Sequence, residues 1–296
     1  MRGNSKPTAK KGKRESMIRI PDPGSSIVVA DWIELFITTT EEFISKSNLS
    51  HLLERASGEE PKEAFIGDIW RELKSREKKY RVRPFIVDGP VVETTNNYKS
   101  KSTYIACLLM SLFGVASSSK RTPKLFERLS CFAVKAYLGG EAIVFGWPVE
   151  LGKSPSIRDR IIEISVKLNE RYVESPPEKY KDRGVDVVAW KPFHEQRPSQ
   201  IVFLLQCAAG QNWRGKAPTL PIRSWEQYVH WSNNPVKAFA VPCIIPDHDW
   251  HEISKDGGVL FDRIRITNLT HELATQDKTL ARDLDSFVKD QLKKLS

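Results

Sequence analysis

The spacing of apolar residues predicts helices through most of the first third of the chain. Apolar positions recur three and four residues apart from Val28 to about Phe113. Three threonines followed by two acids at 38–42 indicate a helix start, and the nearly all-apolar run 104–113 predicts a buried helix. Residues 83–90 predict a short strand and a turn. We therefore expect a mainly helical N-terminal region over residues 26–118.

The pattern changes in the second half, which we treat as one domain over residues 119–296. Residues 123–138 predict a helix with Thr122 as its N-cap and two glycines directly after its end. The apolar runs 184–190 and 201–207 predict two strands, and the stretch between them is too short for a crossover helix, so we expect an antiparallel pair. The remaining predicted elements are strands at 142–147, 236–245 and 259–267, helices at 157–172 and 224–231, and a polar loop at 247–252. This order predicts an α/β fold.

Charge is concentrated at the N-terminus. The 296 residues are 40% hydrophobic and 28% charged, as in ordinary globular proteins, and carry a net charge of +9. Residues 1–15 alone hold six basic residues against one acid, so we expect 1–25 to form a flexible basic tail. The tail either improves solubility or binds nucleic-acid phosphates. Its candidate phosphate contacts are Lys10, Lys11, Lys13 and Arg14.

The cysteines and the hydropathy of the chain argue against several classes of protein. The four cysteines lie far apart in apolar surroundings and form no CxxC pair, which argues against a disulfide framework or a structural zinc site. The longest largely apolar run, 104–116, falls short of the about 20 residues that a membrane span needs. No apolar segment follows the basic tail, so we expect no secretory signal and a cytoplasmic location without membrane contact.

The strand pair carries the most informative side chains. Asp186 lies within the apolar run 184–189, and a buried carboxylate is costly unless a cation or several donors hold it. Gln206 lies at the end of the neighbouring strand, where its amide oxygen could join Asp186 in binding a hard cation such as Mg²⁺. The alternative is an aspartate that accepts a backbone hydrogen bond and a glutamine that simply ends a strand.

Three short motifs in order resemble the PD-(D/E)xK nuclease superfamily, most closely its Mrr-type branch. They are Phe126-Glu127 near the start of a helix, Gly184-Val185-Asp186-Val187 in a strand, and Gln206-Cys207-Ala208 at the end of the next strand. The resemblance covers residues 120–270. It implies a restriction endonuclease-like mixed sheet flanked by helices, in which Glu127, Asp186 and Gln206 hold Mg²⁺ or Mn²⁺. Glu127 could instead be a solvated carboxylate near a helix N-terminus.

The sequence departs from the family pattern at one position. The lysine that follows the glutamine by two residues in the family is replaced by Ala208. Lys216 could supply the missing ammonium from the following loop, because a flexible four-carbon stem reaches from several backbone positions. Alternatively the site is inactive and the fold only binds DNA, or it serves an unrelated role. Arg214 could grip phosphate, and Trp213 could stack on an unpaired base.

Taken with the resemblance, these residues predict a metal-dependent DNA endonuclease. Proteins of this kind commonly serve bacterial restriction or anti-phage defence, so a second subunit of such a system is an expected partner, and a homodimer is also conceivable. The helical region would then recognise DNA or dock that partner. The alternative is a catalytically inactive nuclease-fold subunit that binds DNA or a partner protein.

Overall fold

The fold is built on a mixed five-stranded sheet with helices on both faces. The computed structural model describes residues 18–95, 102–114, 121–149, 152 and 154–295. Its strands are β1 (Ile44–Ser45), β2 (Phe85–Asp88), β3 (Val91–Thr94), β4 (Glu141–Val144), β5 (Arg171–Tyr172), β6 (Val187–Lys191), β7 (Ile201–Cys207), β8 (Val229–His230), β9 (Val236–Ala240) and β10 (Val259–Phe261). The predicted α/β class is confirmed.

The helices precede, connect and follow these strands. They are α1 (Ser26–Thr40), α2 (Lys46–Ser57), α3 (Glu63–Lys79), α4 (Ser102–Phe113), α5 (Arg121–Leu138), α6 (Ile157–Leu168), α7 (Trp213–Lys216), α8 (Ile222–Tyr228), α9 (Asp247–Gly257), α10 (Arg263–Leu269), α11 (Leu273–Gln276) and α12 (Lys278–Leu295). Within the described residues, 3-10 turns lie at Glu178–Tyr180 and Ala217–Thr219.

The sheet combines an antiparallel and a parallel part. Its strand order is β10-β9-β7-β6-β4, and β4, β6 and β7 pair antiparallel, as predicted for the two central strands. Strands β7, β9 and β10 pair parallel. Two small antiparallel sheets, β1-β3-β2 and β5-β8, lie outside it. The central pair β6–β7 places the Asp186 and Gln206 motifs at the same end of the sheet.

Alternating side chains bury both faces of β6. Val187 and Ala189 belong to the apolar cluster that also contains residues of α5, whereas Val188 and Trp190 pack in a second cluster with α6 and α8. The first cluster continues without interruption into α1, α3 and α4. The helical N-terminal region and the α/β region therefore share one hydrophobic core.

Helix boundaries differ from the predictions where caps decide them. The threonines at 38–40 end α1, because Glu41 adopts a left-handed conformation that closes the helix. The predicted strand 259–267 stops at Phe261, where the Asp262 side chain accepts the backbone N–H of Arg265 and starts α10. The predicted loop 247–252 is the first half of α9, whose first turn carries two acids that suit a helix N-terminus.

Some predicted elements are shorter than expected or lie outside the described residues. The strand predicted at 236–245 ends at Ala240, and the helix predicted at 157–172 ends at Leu168. Residues 115–120, which contain the predicted linker, and residues 1–17 of the tail predicted over 1–25 lie outside the described residues. Within the same predicted tail, Ile20 is buried in the core and the carbonyl oxygen of Ile18 accepts the indole N–H of Trp32. Among the helices of the described part of the chain, none is both long and apolar enough to cross a lipid bilayer.

Candidate functional site

Two carboxylates from separate elements meet beside Gly146, directly after β4. Glu127 lies in the second turn of α5, and its side chain is only 5% exposed. Asp186 precedes the first residue of β6 and is half-buried. A methyl group at Gly146 would lie 2.6 Å from Oε2 of Glu127 and 2.8 Å from Oδ1 of Asp186. Glycine is therefore required for both carboxylates to occupy this space.

A bulge turns Asp186 toward α5. The backbone N–H of Asp186 donates to the carbonyl oxygen of Leu205 over 2.9 Å, although Leu205 is the register partner of Val187. Two successive residues thus oppose one residue of β7, which is the arrangement of a β-bulge. The N–H of Cys207 then donates to Oδ2 of Asp186 over 2.7 Å. One carboxylate oxygen is fixed by backbone, and the other points to Glu127.

Burial and like charge shift both carboxyl groups toward the protonated form. Burial, followed by the charge of Asp186, raises the pKa of Glu127 to about 8. Burial, together with nearby Asp182, raises the pKa of Asp186 to about 7, although the Cys207 N–H opposes this shift. Without a bound metal ion, ionisation of both carboxyl groups near neutral pH is unfavourable. An added positive charge at this position would be strongly favoured.

Lys124 forms an ion pair with one member of the pair, Glu127. Its Nζ lies 2.5 Å from Oε2 of Glu127, and it precedes Glu127 by three residues on the same face of α5. Its charge also lowers the pKa of Asp186, more than the charge of Lys216 does. Sequence reasoning missed Lys124. The signal that could have found it was its i,i+3 spacing from the Phe-Glu motif.

Buried polar contacts fix the backbone on both sides of the pair. Oδ2 of Asp182 accepts the N–H of Trp147, and Oδ1 accepts the N–H of Gly184. The Arg160 guanidinium, which is 3% exposed, donates to the carbonyl oxygens of Phe145 and Lys181. The segments that carry Gly146 and Asp186 are therefore tied to each other and to α6.

The structure does not bring Gln206 to the carboxylates. Its Nε2 lies 3.1 Å from the hydroxyl of Thr219, which in turn donates to the carbonyl oxygen of Lys216. Gln206 follows Leu204 on the face of β7 that packs toward α6 and α8, whereas Glu127 lies on the α5 face. Within the described residues, no hydrogen bond joins Gln206 to either acid. The bulge at Asp186 explains why the expected convergence of all three residues does not occur.

The predicted site residues that follow β7 differ in their exposure and contacts. Lys216 is exposed at the end of α7, close enough for its charge to lower the pKa of Asp186. Arg214 lies over the ring of Trp213 and pairs with Asp249 at 2.9 Å. Trp213 is only 7% exposed and packs in an apolar cluster, so little of its ring is open to a base, and its stacking on a base stays a prediction. Lys10, Lys11, Lys13 and Arg14 lie outside the described residues.

Cys207 lies close to the acid pair, in surroundings that disfavour its thiolate. Burial raises the pKa of its thiol well above the ordinary value, and the charges of Asp186 and Glu127 raise it further. A thiol held protonated is a poor nucleophile. Cys207 packs against the main apolar cluster, so we interpret it as a packing residue.

The donor set suits a magnesium-type ion with a small number of protein ligands. Mg²⁺ commonly keeps several water ligands and binds through one or two carboxylates, which matches Glu127 and Asp186. Among the described residues, no group of three or more histidines, cysteines and acids is arranged to hold a metal ion. A site here would therefore depend on two carboxylates and on water, without the third protein ligand expected from Gln206.

Comparison with protein-family models, curated proteins and solved structures gives no match for this chain. The resemblance to the PD-(D/E)xK superfamily therefore remains a prediction from the motifs. The functional argument rests on the geometry around Gly146.

Proposed function

We propose that the protein is a metal-dependent nuclease that hydrolyses phosphodiester bonds in DNA. The observation that supports this proposal is the closely placed carboxylate pair Glu127–Asp186, with Lys124 in contact with Glu127 and Gly146 leaving the space open. A purely structural carboxylate pair would be a costly arrangement, because replacement of one acid by a neutral residue would remove the repulsion. Perturbed, clustered acids of this kind are typical of functional sites.

The order of elements is also compatible with a restriction endonuclease-like fold, which we include in the proposal. The acidic helix α5 comes first, the strand preceded by Asp186 comes second, and the strand that ends near Gln206 is its antiparallel neighbour. A role in bacterial restriction or anti-phage defence, a partner subunit and a homodimer all depend on the same resemblance.

Each residue near Gly146 has a separate role in the proposed reaction. Glu127 and Asp186 would hold Mg²⁺ or Mn²⁺ in their ionised forms, and Asp186 is oriented for this by the Cys207 N–H. The ion would supply Lewis-acid activation of the phosphate and of the attacking water. Lys124 and Lys216 would offset the negative charge that develops on the phosphate. Asp182 would act only by positioning the backbone at Trp147 and Gly184.

Plasmid cleavage tests the proposal directly. We expect the purified protein to nick supercoiled DNA with Mg²⁺ or Mn²⁺ and to stop with EDTA. Asp186→Asn and Glu127→Gln should each lower the cleavage rate by about a hundredfold or more while remaining folded. Glu141→Gln is the matched control, since Glu141 is an exposed acid at the start of β4. Full cleavage by folded Asp186→Asn protein would overturn the site assignment.

An inactive wild type would favour the second candidate function. The observation on its side is that Lys124 already neutralises Glu127 while Gln206 is turned away. DNA binding without cleavage under every divalent metal would identify a noncatalytic DNA-binding subunit and overturn the nuclease proposal.

A further inference from the structure

The segment 179–183 places three cations and an exposed ring beside the acid pair. It overlaps the 3-10 turn Glu178–Tyr180, and its last residue lies three positions before Asp186. Lys179, Tyr180 and Lys181 are exposed, and Tyr180 keeps 41% of its surface open to solvent. Trp147, which follows Gly146, forms the other side of this surface. We call residues 179–183 together with Trp147 the basic-aromatic surface.

The segment is held firmly in an unusual backbone conformation. Lys181 and Arg183 have φ values of 54° and 51°, in the left-handed region that non-glycine residues rarely adopt. The buried Arg160 holds the carbonyl oxygen of Lys181, and the Asp182 carboxylate accepts the N–H groups of Trp147 and Gly184. Strain that the surrounding structure maintains is often associated with function.

The cations of this surface contact aromatic rings instead of carboxylates. Lys179 lies 5.2 Å and Arg183 4.3 Å from the centre of the Tyr180 ring, and Lys181 lies 5.7 Å from the Trp147 ring. In the described part of the chain, no acid lies within ion-pair distance of these three cations. A ring orients a cation and leaves its charge available to an anion.

Three other surface cations are paired with acids, and the two acids in and beside the segment are held by hydrogen bonds. Arg128, Lys135 and Arg214 each form an ion pair with a carboxylate. Glu178 accepts hydrogen bonds from the hydroxyl of Ser156 and from the backbone of Ile157, and Asp182 is bound to backbone N–H groups. Both acids are therefore engaged by hydrogen bonds, although Glu178 itself is exposed. Lys179 and Lys181 are exposed, whereas Arg183 is half-buried and donates to the hydroxyl of Ser224.

Cations interleaved with exposed rings are the combination that binds unpaired nucleic acid. The cations follow the phosphates, and the rings stack on bases whose faces are free. An intact duplex offers no such faces, and phosphate contacts alone would not call for rings. We propose that the basic-aromatic surface binds an unpaired nucleic-acid strand and directs it toward Glu127 and Asp186. This inference rests on the proposed function, and it makes single-stranded or locally unpaired nucleic acid the substrate class.

Binding without metal tests the inference separately from cleavage. The full chain in EDTA is titrated into a labelled oligo(dT) of about 15 nucleotides, near the upper size of one single-strand site. The same oligonucleotide annealed to its complement is the duplex arm, and oligo(U) of equal length distinguishes DNA from RNA. We expect oligo(dT) or oligo(U) to bind more tightly than the duplex.

Matched variants identify the contribution of the surface. Tyr180→Ala should weaken single-strand binding by about tenfold, as expected for loss of one stacked base. The double variant Lys179→Ala/Lys181→Ala should make the salt dependence shallower by about 1.4 in slope, for two lost phosphate contacts. Phe193→Ala, an exposed ring beyond the far end of β6, and Lys278→Ala/Lys289→Ala in α12 are the controls and should bind as wild type.

The two proposals can fail independently. Unchanged single-strand binding by Tyr180→Ala and by the lysine pair would overturn the inference, even if Asp186→Asn abolishes plasmid cleavage. Tighter binding to duplex than to either single strand would also overturn it. Weakened single-strand binding by Tyr180→Ala in a protein that cleaves nothing would support the surface and overturn only the nuclease proposal.

Discussion

At the scale of single residues, Gly146 controls the space on which the site depends. Any side chain there would occupy the position between Oε2 of Glu127 and Oδ1 of Asp186. The backbone around it is fixed, because the N–H groups of Phe145 and Gly146 both donate to the carbonyl oxygen of Asp186. The glycine cannot easily move away from a newly added methyl group.

We expect Gly146→Ala to lower metal-dependent cleavage by about a hundredfold, because it displaces one of the two carboxylates. Overpacking should also destabilise the protein by about 1–3 kcal/mol in urea unfolding. Gly67→Ala in α3 is the matched control, since a Cβ there meets nothing within 4 Å. That control should retain activity and gain about 0.5–1 kcal/mol. Full activity in Gly146→Ala would mean that the carboxylates do not act together.

The acid pair also predicts a pH dependence of stability. Both pKa values are raised, so between the ordinary values and about 8 the folded protein binds more protons than the unfolded chain. The free energy of unfolding contributed by the pair is therefore greatest at low pH and falls as the pH rises through this window.

Removing one carboxylate should remove much of this dependence. Without divalent metal, Glu127→Gln should raise the Tm at about pH 8 by roughly 2–6 °C, corresponding to about 1–2 kcal/mol. The gain should diminish toward about pH 5, where the wild-type pair is largely protonated. Thermal melts of both proteins across this range provide the measurement. A Glu127→Gln variant that melts below wild type at high pH would contradict the proposed charge repulsion.

At the scale of elements, helices α5 and α7 each place a lysine near the two acids. Helix α5 carries Lys124 in contact with Glu127, and α7 ends in exposed Lys216, whose charge reaches Asp186. Lys124 is held by its own helix, whereas Lys216 depends on the turn fixed by Thr219. For the proposed nuclease, the geometry favours Lys124 over Lys216 as the cation that acts beside the two acids.

Single-turnover cleavage should distinguish the two lysines. Lys124→Ala should slow cleavage by about a hundredfold at saturating DNA, as expected for loss of one charge-stabilising contact. Lys216→Ala should have a smaller effect on this rate. The control is Lys135→Ala, an exposed lysine of α5 that pairs with Glu141. If only Lys216→Ala slows the reaction, the sequence-based assignment to Lys216 is correct and Lys124 is a counter-ion.

At the scale of the whole molecule, a buried ionic network joins the N-terminal helices to the α/β region. Arg76 of α3 and Arg263 of α10 both donate to Asp31 and Glu34 of α1, and all four side chains are buried. Although burial opposes ionisation, the two arginines hold the pKa of Asp31 well below its ordinary value. Glu34 also accepts a hydrogen bond from Tyr104 of α4. The relative position of the two regions is therefore fixed by charges as well as by apolar contact.

We expect Arg76→Met to lower the free energy of unfolding by about 3–5 kcal/mol, because it leaves buried carboxylates undercompensated. Arg128→Met is the control, since its pair with Asp283 is partly exposed and should contribute about 1 kcal/mol or less. Urea unfolding measures both changes. Equal small losses in the two variants would show that the network does not contribute to the stability of the fold.

Local signals in the sequence determined several elements and one part of the site. The 3.6-residue spacing, the proline in its first turn and the two following glycines located α5, and its Phe-Glu motif indicated Glu127. Largely apolar runs located β6 and β7, and the carboxylate within the first run singled out Asp186. These features depend on residues that are close together in the sequence, so periodicity and capping rules can predict them.

Long-range packing decided the rest. A bulge moved Asp186 to the face of α5 and left Gln206 facing Thr219, and no local pattern marks that one-residue shift. Trp213 is aromatic and lies beside an arginine, yet only the three-dimensional structure shows that it is buried. The contacts among α1, α3 and α10 join residues more than forty positions apart. Sequence alone therefore determined which groups were available, and the tertiary structure decided which of them meet, because register and burial depend on contacts between distant segments.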